Sequence, residues 1–338
     1  MQEYFRPLVQ IGPARPVDAQ TLAGGWGWFT HVEVMSRTAS AQIIPAQDVP
    51  APVLDRLTAP RSGIAGLGLE HPRIMGILNA TPDSFSDGGQ HNAPDRAIAA
   101  GLAMRDAGAD IIDIGGESTR PGARAVPEDE EIARIAPVIA GLRQAGLETP
   151  ISIDTRKAAV ARAALDAGAD LVNDVSGFTY DAALAPLCAA AAAPVCVMHS
   201  LGDPETMHLN PSYENVLLDV YDTLEKQITA LEQAGIARNS ILADPGIGFG
   251  KTQEHNLALL ARIGLFHMLG TPILLGASRK KFIGTIGQAP KAADRAPGSI
   301  AVALAGLSQG VQMIRVHDVA ETRQAVQLWH ASNYGKIL

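Results

Sequence analysis

The amino-acid sequence predicts a (β/α)8 barrel, a closed ring of eight parallel strands surrounded by helices, with a small β-rich extension at its N-terminus. From Pro72 onward one unit occurs eight times: a short β-branched apolar run, a Gly or polar turn, and an Ala-rich helical stretch. Apolar strands that alternate with helices indicate a parallel sheet whose outer face is covered. Eight evenly spaced units in about 260 residues favour a closed barrel over an open doubly wound sheet.

The first 71 residues differ in pattern from the rest. They contain Trp26 and Trp28, two of the three tryptophans, and their short alternating runs, such as residues 30–35, are separated by Gly and Pro. Alternation of apolar and polar residues is typical of strands with one buried face. We therefore expect two regions, a β-rich extension over residues 1–71 and a barrel over residues 72–338.

The eight barrel strands are predicted at the apolar runs. These runs are residues 73–78, 110–114, 151–154, 171–175, 195–199, 241–244, 273–276 and 313–316. Helices are predicted between them, among others at 95–107, 129–144, 157–167, 212–234 and 298–309. Four helices should end at a glycine, because glycine readily adopts the left-handed conformation that closes a helix: Gly108, Gly146, Gly168 and Gly235.

Composition limits the classes of function. With 47% hydrophobic and 18% charged residues, the chain can bury a large core. Its 27 Lys and Arg against 35 Asp and Glu give a net charge of −8, which argues against a general nucleic-acid surface. The two cysteines, Cys188 and Cys196, are expected as buried thiols in a reducing compartment, and neither a signal peptide nor a membrane-spanning segment is recognisable. We expect a cytoplasmic protein without membrane contact.

Polar residues follow the predicted strands, at the end where such barrels carry their chemistry. Any one of them could merely cap the following helix, but eight polar ends together, with Lys and Arg among them, favour one binding site. The residues are Asn79, Thr119, Arg120, Asp154, Asn173, Asp174, His199, Asp244, Ser278, Lys280, Arg315 and His317, with Met198 beside His199.

One subset of these residues suits a nitrogen heterocycle. Asp154, Asn173, Asp244 and Lys280 combine acceptors and donors that match the amino-pyrimidinone edge of such a ring. Buried carboxylates are costly without hydrogen-bond donors, so a ligand rich in N–H groups is implied.

A second subset suits a phosphate or diphosphate. Asn79, Thr119, Arg120, Arg315 and His317 combine cations with a hydroxyl and an amide, and they follow the first two strands and the last. The Asn79 oxygen could join phosphate oxygens around a Mg²⁺ ion. The loops 81–89 and 120–123 contain Gly and Pro. We interpret them as lids that exclude water from the mouth, the open end of the barrel at the carboxyl ends of the strands.

Seven motifs stand at these strand ends. They are Ile-Leu-Asn-Ala-Thr-Pro-Asp-Ser-Phe-Ser-Asp-Gly-Gly at 77–89, Gly-Gly-Glu-Ser-Thr-Arg-Pro-Gly at 115–122, Ile-Asp-Thr at 153–155, Asn-Asp at 173–174, Asp-Pro-Gly-Ile-Gly-Phe-Gly-Lys at 244–251, Ser-Arg-Lys at 278–280 and Arg-Val-His-Asp at 315–318. As a set they closely resemble the dihydropteroate synthase family, and the resemblance covers about residues 73–330. Ala80 and Ser200 depart from the common family pattern near the mouth.

The resemblance implies a transferase of folate biosynthesis. Such an enzyme condenses 6-hydroxymethyl-7,8-dihydropterin diphosphate with p-aminobenzoate, giving 7,8-dihydropteroate and diphosphate. It implies an SN1-like mechanism in which diphosphate leaves first with the help of Mg²⁺ and cations, so that no protein nucleophile is needed. It also implies a homodimer formed through barrel helices.

The resemblance further implies a role for each matching residue. Catalysis would fall to Asp154, Lys280, Arg315 and Arg120, the last in a closing loop. The pterin site would comprise Asp154, Asn173, Asp244 and Lys280, with Met198 and Gly276. Diphosphate would contact Asn79, Thr119, Arg315 and His317, with Asn79 also on Mg²⁺, and p-aminobenzoate would contact Phe85, Thr119, Pro121 and Ser278.

Other functions fit the sequence less well. A pterin-binding barrel of a corrinoid methyltransferase would not need the diphosphate cations, and a noncatalytic pterin-binding paralogue would not need the complete anion set. A zinc site at His199 and His208 lacks a recognisable third ligand. Lys251 is expected to be solvated or to stand behind the site, and Asp113, Glu117 and Asp318 are expected to orient their neighbours.

Overall fold

The extension forms two small antiparallel sheets and one helix. The computed structural model of the protein describes residues 2–81, 93–118, 125–202 and 211–337. The elements of the extension are β1 (Tyr4–Pro7), β2 (Gln20–Thr21), β3 (Trp28–Phe29), β4 (His31–Met35), β5 (Gln42–Pro45) and α1 (Ala51–Thr58). Strands β1, β4 and β5 pair in that order, and β2 pairs with β3. The predicted β-rich character of this region is confirmed.

Eight parallel strands follow the extension and form the predicted barrel. They are β6 (Arg73–Asn79), β7 (Ile111–Gly115), β8 (Ile151–Asp154), β9 (Leu171–Asp174), β10 (Val195–Met198), β11 (Ile241–Asp244), β12 (Leu274–Leu275) and β13 (Met313–Val316). Their order in the sheet is β11-β10-β9-β8-β7-β6-β13-β12, and a parallel bridge between Ala243 and Ile273 closes the ring. Strand β12 is shorter than the predicted run, and Pro272 before it has no N–H to donate to a ladder.

Helices cover the outside of the ring. They are α2 (Ala93–Asp106), α3 (Glu128–Gln144), α4 (Ala158–Asp166), α5 (Leu184–Ala190), α6 (Val216–Gln233), α7 (Gln253–Ala261), α8 (Lys281–Ile286), α9 (Ala296–Leu307) and α10 (Val319–Tyr334). All four predicted helix-ending glycines have positive φ, from +80° at Gly146 to +109° at Gly168. Helix α6 begins four residues later than predicted, because the Asn215 side chain accepts the Leu218 N–H and caps it there.

The inside of the barrel is filled in layers. The lower layer holds Met75, Ile111, Leu171, Cys196, Leu242, Leu274 and Met313, and Ile64 and Leu69 from the end of the extension pack into it. Because side chains alternate along a strand, the positions two residues further on also face inward. These seven positions hold Ile77, Asp113, Asn173, Met198, Asp244, Gly276 and Arg315. The strand period itself therefore carries four polar residues among them to the mouth.

Candidate active site

The strand register places the predicted site residues side by side. Asp154 on β8 lies opposite Asn173 on β9, and Met198 on β10 lies opposite Asp244 on β11. Both aspartates are buried, with 7% and 5% of their surface exposed. Asp154 and Asn173 therefore lie on adjacent strands, and Asp244 lies two strands further along the same rim.

Arg315 joins two carboxylates across this rim. Its Nε donates to Asp113 Oδ2 at 2.6 Å and its Nη2 to Asp154 Oδ2 at 2.7 Å, while Asn173 Nδ2 donates to Asp113 Oδ2 at 3.2 Å. Burial alone would lower the pKa of the Arg315 guanidinium. The negative charges of Asp113 and Asp154 together have the larger effect, so the pKa is raised. The sequence predicts Arg315 as a catalytic and diphosphate-binding residue but gives no sign of its contact with the carboxylates. Arg315 thus links the residues predicted for diphosphate to those predicted for the heterocycle.

The buried carboxylates retain free acceptor capacity. Burial raises the pKa of Asp154 to about 7 against the opposing charge of Arg315, and it raises the pKa of Asp244 to about 6. Among the described residues, Asp154 Oδ1 is buried and has no hydrogen-bond partner. An N–H group from a ligand would satisfy this oxygen, which is the chemistry that the sequence predicts here.

Lys280 and Phe249 form a cationic and aromatic wall. Lys280 Nζ lies 4.0 Å from the centroid of the Phe249 ring, within the range of a cation–π contact. Burial, with Arg315 nearby, lowers the pKa of Lys280 to about 8. Phe249 packs with Val175 and Met198 in a small apolar cluster. Sequence reasoning gave Phe249 no role; its signal is an aromatic residue between Gly248 and Gly250, just after a strand.

Gly276 leaves room for a carboxylate. A Cβ atom at this position would lie 3.2 Å from Asp244 Oδ2, which is tighter than ordinary contact. The absence of a side chain at Gly276 therefore leaves space beside the Asp244 carboxylate.

Ser278 and His317 are joined by hydrogen bonds. Ser278 Oγ lies 2.9 Å from His317 Nδ1 and accepts the His317 backbone N–H at 3.2 Å. Burial, with Arg279 and Arg315 nearby, lowers the pKa of His317 to about 4, so its ring is neutral at pH 7. The neutral ring of His317 offers a hydrogen bond rather than a charge.

Lys251 and His199 contact each other behind the site. Of the two places expected for Lys251, in solvent or behind the site, the structure shows the second: Lys251 is buried, and its Nζ lies 2.8 Å from His199 Nδ1. Burial, with Lys251 nearby, lowers the pKa of His199 to about 3. Asp318 acts as predicted, since its carboxylate binds the Arg279 side chain, and Glu117 likewise accepts from Arg156 and Lys157.

Metal donors at the rim are few. Asn79 ends β6, half-buried and opposite Gly115 of β7. Within the four described ranges, no cluster of three or more His, Cys, Asp or Glu suits a metal ion. A lone amide oxygen fits Mg²⁺ only when the ion also binds phosphate oxygens and water, as Mg²⁺ commonly does.

Several predicted residues lie outside the described residues: Phe85, Thr119, Arg120, Pro121 and His208, with most of loop 81–89 and all of loop 120–123. Their predicted roles stay predictions.

Comparison with known proteins identifies the family. The sequence profile described as "Pterin binding enzyme" matches residues 75–317. The dihydropteroate synthase of Escherichia coli strain K12 is 46% identical over 266 residues, which are 79% of this chain and 93% of that protein. The chain belongs to the dihydropteroate synthase family. The enzyme class and the barrel fold predicted from the sequence are confirmed.

Solved structures of dihydropteroate synthases resemble the barrel closely. The Xanthomonas albilineans enzyme with 4-aminobenzoic acid has a TM-score of 0.75 at 44% identity, over 79% of this chain and 94% of that one. The same enzyme in complex with 7,8-dihydropteroate has a TM-score of 0.73 at 41% identity, over 81% and 98%. The match to the pterin-binding profile begins after the extension, at residue 75. In the described part of the chain, no helix combines the length and apolarity needed to span a membrane.

Proposed function

We propose that this barrel condenses 6-hydroxymethyl-7,8-dihydropterin diphosphate with p-aminobenzoate to give 7,8-dihydropteroate and diphosphate. The observation that carries the proposal is the mouth itself. It holds buried carboxylates with raised pKa beside Arg315, and Lys280 against an aromatic ring. The related enzymes with 4-aminobenzoic acid and 7,8-dihydropteroate bound support the choice of substrates.

The pterin would be held by Asp154, Asn173, Asp244 and Lys280, with Met198 and Gly276 beside it. Asp154 Oδ1 and Asp244 would accept pterin N–H groups, which removes the cost of an unpaired buried acceptor. Lys280 would donate to the carbonyl oxygen or a ring nitrogen. Met198 belongs to the apolar cluster with Phe249 and would contact a ring face.

The diphosphate would contact Asn79, Thr119, Arg315 and His317. Arg315 would supply the charge and His317 a hydrogen bond, because its ring is neutral at pH 7. A Mg²⁺ ion would be held by Asn79 together with diphosphate oxygens, and when bound it would neutralise charge on the leaving group. p-Aminobenzoate would contact Ser278, Phe85, Thr119 and Pro121, with Arg120 closing over the site.

The chemistry requires no nucleophile from the protein. The bond from the pterin methylene to the diphosphate oxygen breaks, and the oxygen keeps the electron pair. Arg315 stabilises this departing charge, while Asp154 in its ionised form favours the electron-poor pterin. The amine nitrogen of p-aminobenzoate then forms the C–N bond and releases a proton.

A product assay tests the proposal. Purified protein with both substrates should form dihydropteroate, with Mg²⁺ required. Asp154→Asn should lower kcat/KM by the worth of a charged hydrogen bond, about 1.5 to 3 kcal/mol, or about 10- to 150-fold. Lys226→Met, an exposed change on α6, is the control. Pterin binding without product would favour the noncatalytic paralogue. Methyl transfer in a separate assay with a methylated folate and a corrinoid acceptor would favour the corrinoid methyltransferase type.

We also propose a cytoplasmic homodimer. Free buried thiols at Cys188 and Cys196 suit a reducing compartment. The contact through barrel helices is proposed from the resemblance to the family. Light scattering would measure the mass in solution. We also propose that residues 1–71 form an extension and residues 72–338 form the barrel region.

A further inference from the structure

Lys251 stands where the segment 245–251, which links β11 to α7, returns to the barrel. Its side chain is 5% exposed, and its Nζ is surrounded by acceptors. His199 Nδ1 lies at 2.8 Å, Gly246 O at 2.9 Å and Phe249 O at 3.0 Å, with His199 O at 3.4 Å. Burial lowers the pKa of Lys251 to about 7 against the opposing effect of Asp244. The protonated form has three hydrogens, and the three closest acceptors satisfy them.

The backbone of this segment is folded around that ammonium. Gly246 has φ +67°, and a Cβ atom there would lie 1.9 Å from His199 O. Only glycine therefore allows this close approach of the segment to the end of β10. Tyr213 adds a hydrogen bond from its hydroxyl to Gly250 O at 2.8 Å. The segment is thus fixed from inside by Lys251 and from outside by Tyr213.

Two members of the candidate site are attached to this segment. The Gly246 N–H donates to Asp244 Oδ1 at 2.7 Å, and Phe249 places its ring 4.0 Å from Lys280 Nζ. Lys251 binds the carbonyls of both Gly246 and Phe249. It therefore couples the residue that holds Asp244 to the residue that faces Lys280.

We propose that Lys251 is a positioning residue for the pterin subsite: its ammonium, held by His199, fixes the segment 245–251 so that Asp244 and the Phe249 ring are set for the heterocycle. The inference rests on the proposed function, because it assigns Lys251 to the same site. Lys251 touches no reacting atom in this role. Its effect passes through the backbone of the segment.

The decisive measurement is the affinity for pterin diphosphate without p-aminobenzoate, determined by calorimetry in the presence of Mg²⁺. Lys251→Met keeps the length of the side chain and removes the ammonium. We expect Kd to rise at least about tenfold, the consequence of losing one charged hydrogen bond at the site. Lys226→Met, the exposed lysine on α6, should leave Kd unchanged. Circular dichroism at the assay temperature verifies that each variant is folded.

A pair of variants at His199 separates positioning from general stability. His199→Asn keeps an acceptor for the ammonium and should bind pterin diphosphate within about threefold of the unsubstituted protein. His199→Leu removes the acceptor and should weaken binding at least about tenfold. This pair decides the matter if Lys251→Met fails to fold.

Folded Lys251→Met with unchanged Kd would overturn the role of Lys251, as would equal Kd values for His199→Asn and His199→Leu. A smaller active fraction with unaltered Kd would also overturn it, because a merely structural residue behaves in that way. If the unsubstituted protein itself binds no pterin diphosphate, the proposed function fails instead. The two failures are therefore distinguishable.

Discussion

At the scale of single residues, the mouth is organised by compensation of buried charge. Asp113 is fully buried and contacts both Arg315 and Asn173. Removing one partner from such a pair leaves an uncompensated buried charge, which costs more than the pair itself contributes. Arg315 therefore compensates the buried charge of Asp113, in addition to its proposed contact with diphosphate.

His267 gives a prediction for the pH dependence of stability. Its ring is fully buried, its Nε2 lies 2.9 Å from Gln309 O, and burial lowers its pKa to about 3. The unfolded chain, in which histidine has a pKa of about 6.5, binds more protons below that pH. The stability contributed by the neutral ring is therefore complete above pH 6.5 and is lost as pH falls towards 3.

The His267→Gln variant measures this effect. From pH 7.5 to 5, the free energy of unfolding should fall by about 2 kcal/mol more in the unsubstituted protein than in the variant. Urea denaturation at a series of pH values provides the measurement. His71→Gln, at an exposed position, serves as the control and should keep the original slope. Parallel curves for His267→Gln would contradict the prediction.

At the scale of elements, the turn from β12 to α8 shows how backbone strain is held at the site. Arg279 has φ +57°, a left-handed conformation that is costly for any residue but glycine. Its N–H donates to Ser299 Oγ at 2.8 Å, its carbonyl accepts from Arg295 at 3.0 Å, and its side chain binds Asp318. These contacts fix the turn that carries Ser278 and Lys280.

Substitutions at Arg279 can separate the backbone strain from the ion pair. Arg279→Ala and Arg279→Gly both lose the contact with Asp318, but only alanine keeps the strain. We expect the glycine variant to be more stable than the alanine variant by about 1 kcal/mol in urea denaturation. At Lys226, inside α6, the order should reverse by about the same amount, because glycine weakens a helix. Equal stability of the two Arg279 variants would show that the turn relaxes.

Local patterns explain why the elements were predictable and part of the site was not. The eight apolar runs and the glycines after helices are local signals, so strands such as β8 and β11 were predicted at their observed bounds. The pairing of Arg315 with Asp113 depends on closure between β13, β6 and β7, which no local pattern records. The burial of Lys251 likewise depends on how the segment 245–251 folds back onto β10.

At the scale of the molecule, the extension and the barrel share a packed core. Tyr4 donates its hydroxyl to Asp222 on α6 at 2.9 Å, and Trp26 Nε1 donates to Leu307 O on α9 at 2.9 Å. Ile64 is 1% exposed and packs into the lower layer of the barrel. These contacts imply that the two regions stabilise each other.

Truncating Ile64 tests this mutual support. Ile64→Ala should lower the free energy of unfolding of the whole barrel by about 2 to 5 kcal/mol, because it leaves a cavity in a filled layer. Ile43→Ala, on the exposed edge strand of the extension, should change it by less than about 0.5 kcal/mol. Chemical denaturation followed by far-UV circular dichroism reports the barrel helices. An unchanged barrel transition for Ile64→Ala would contradict the prediction and mark the extension as an independent unit.

The filled base of the barrel has a consequence for kinetics. Ile64 and Leu69 seal the end of the ring opposite the carboxyl ends of the strands. In the part of the chain that the structure describes, substrates and products would then enter and leave at the other end, where the carboxyl ends of the strands lie. Two substrates that bind there at different depths would have to arrive in order, the deeper one first.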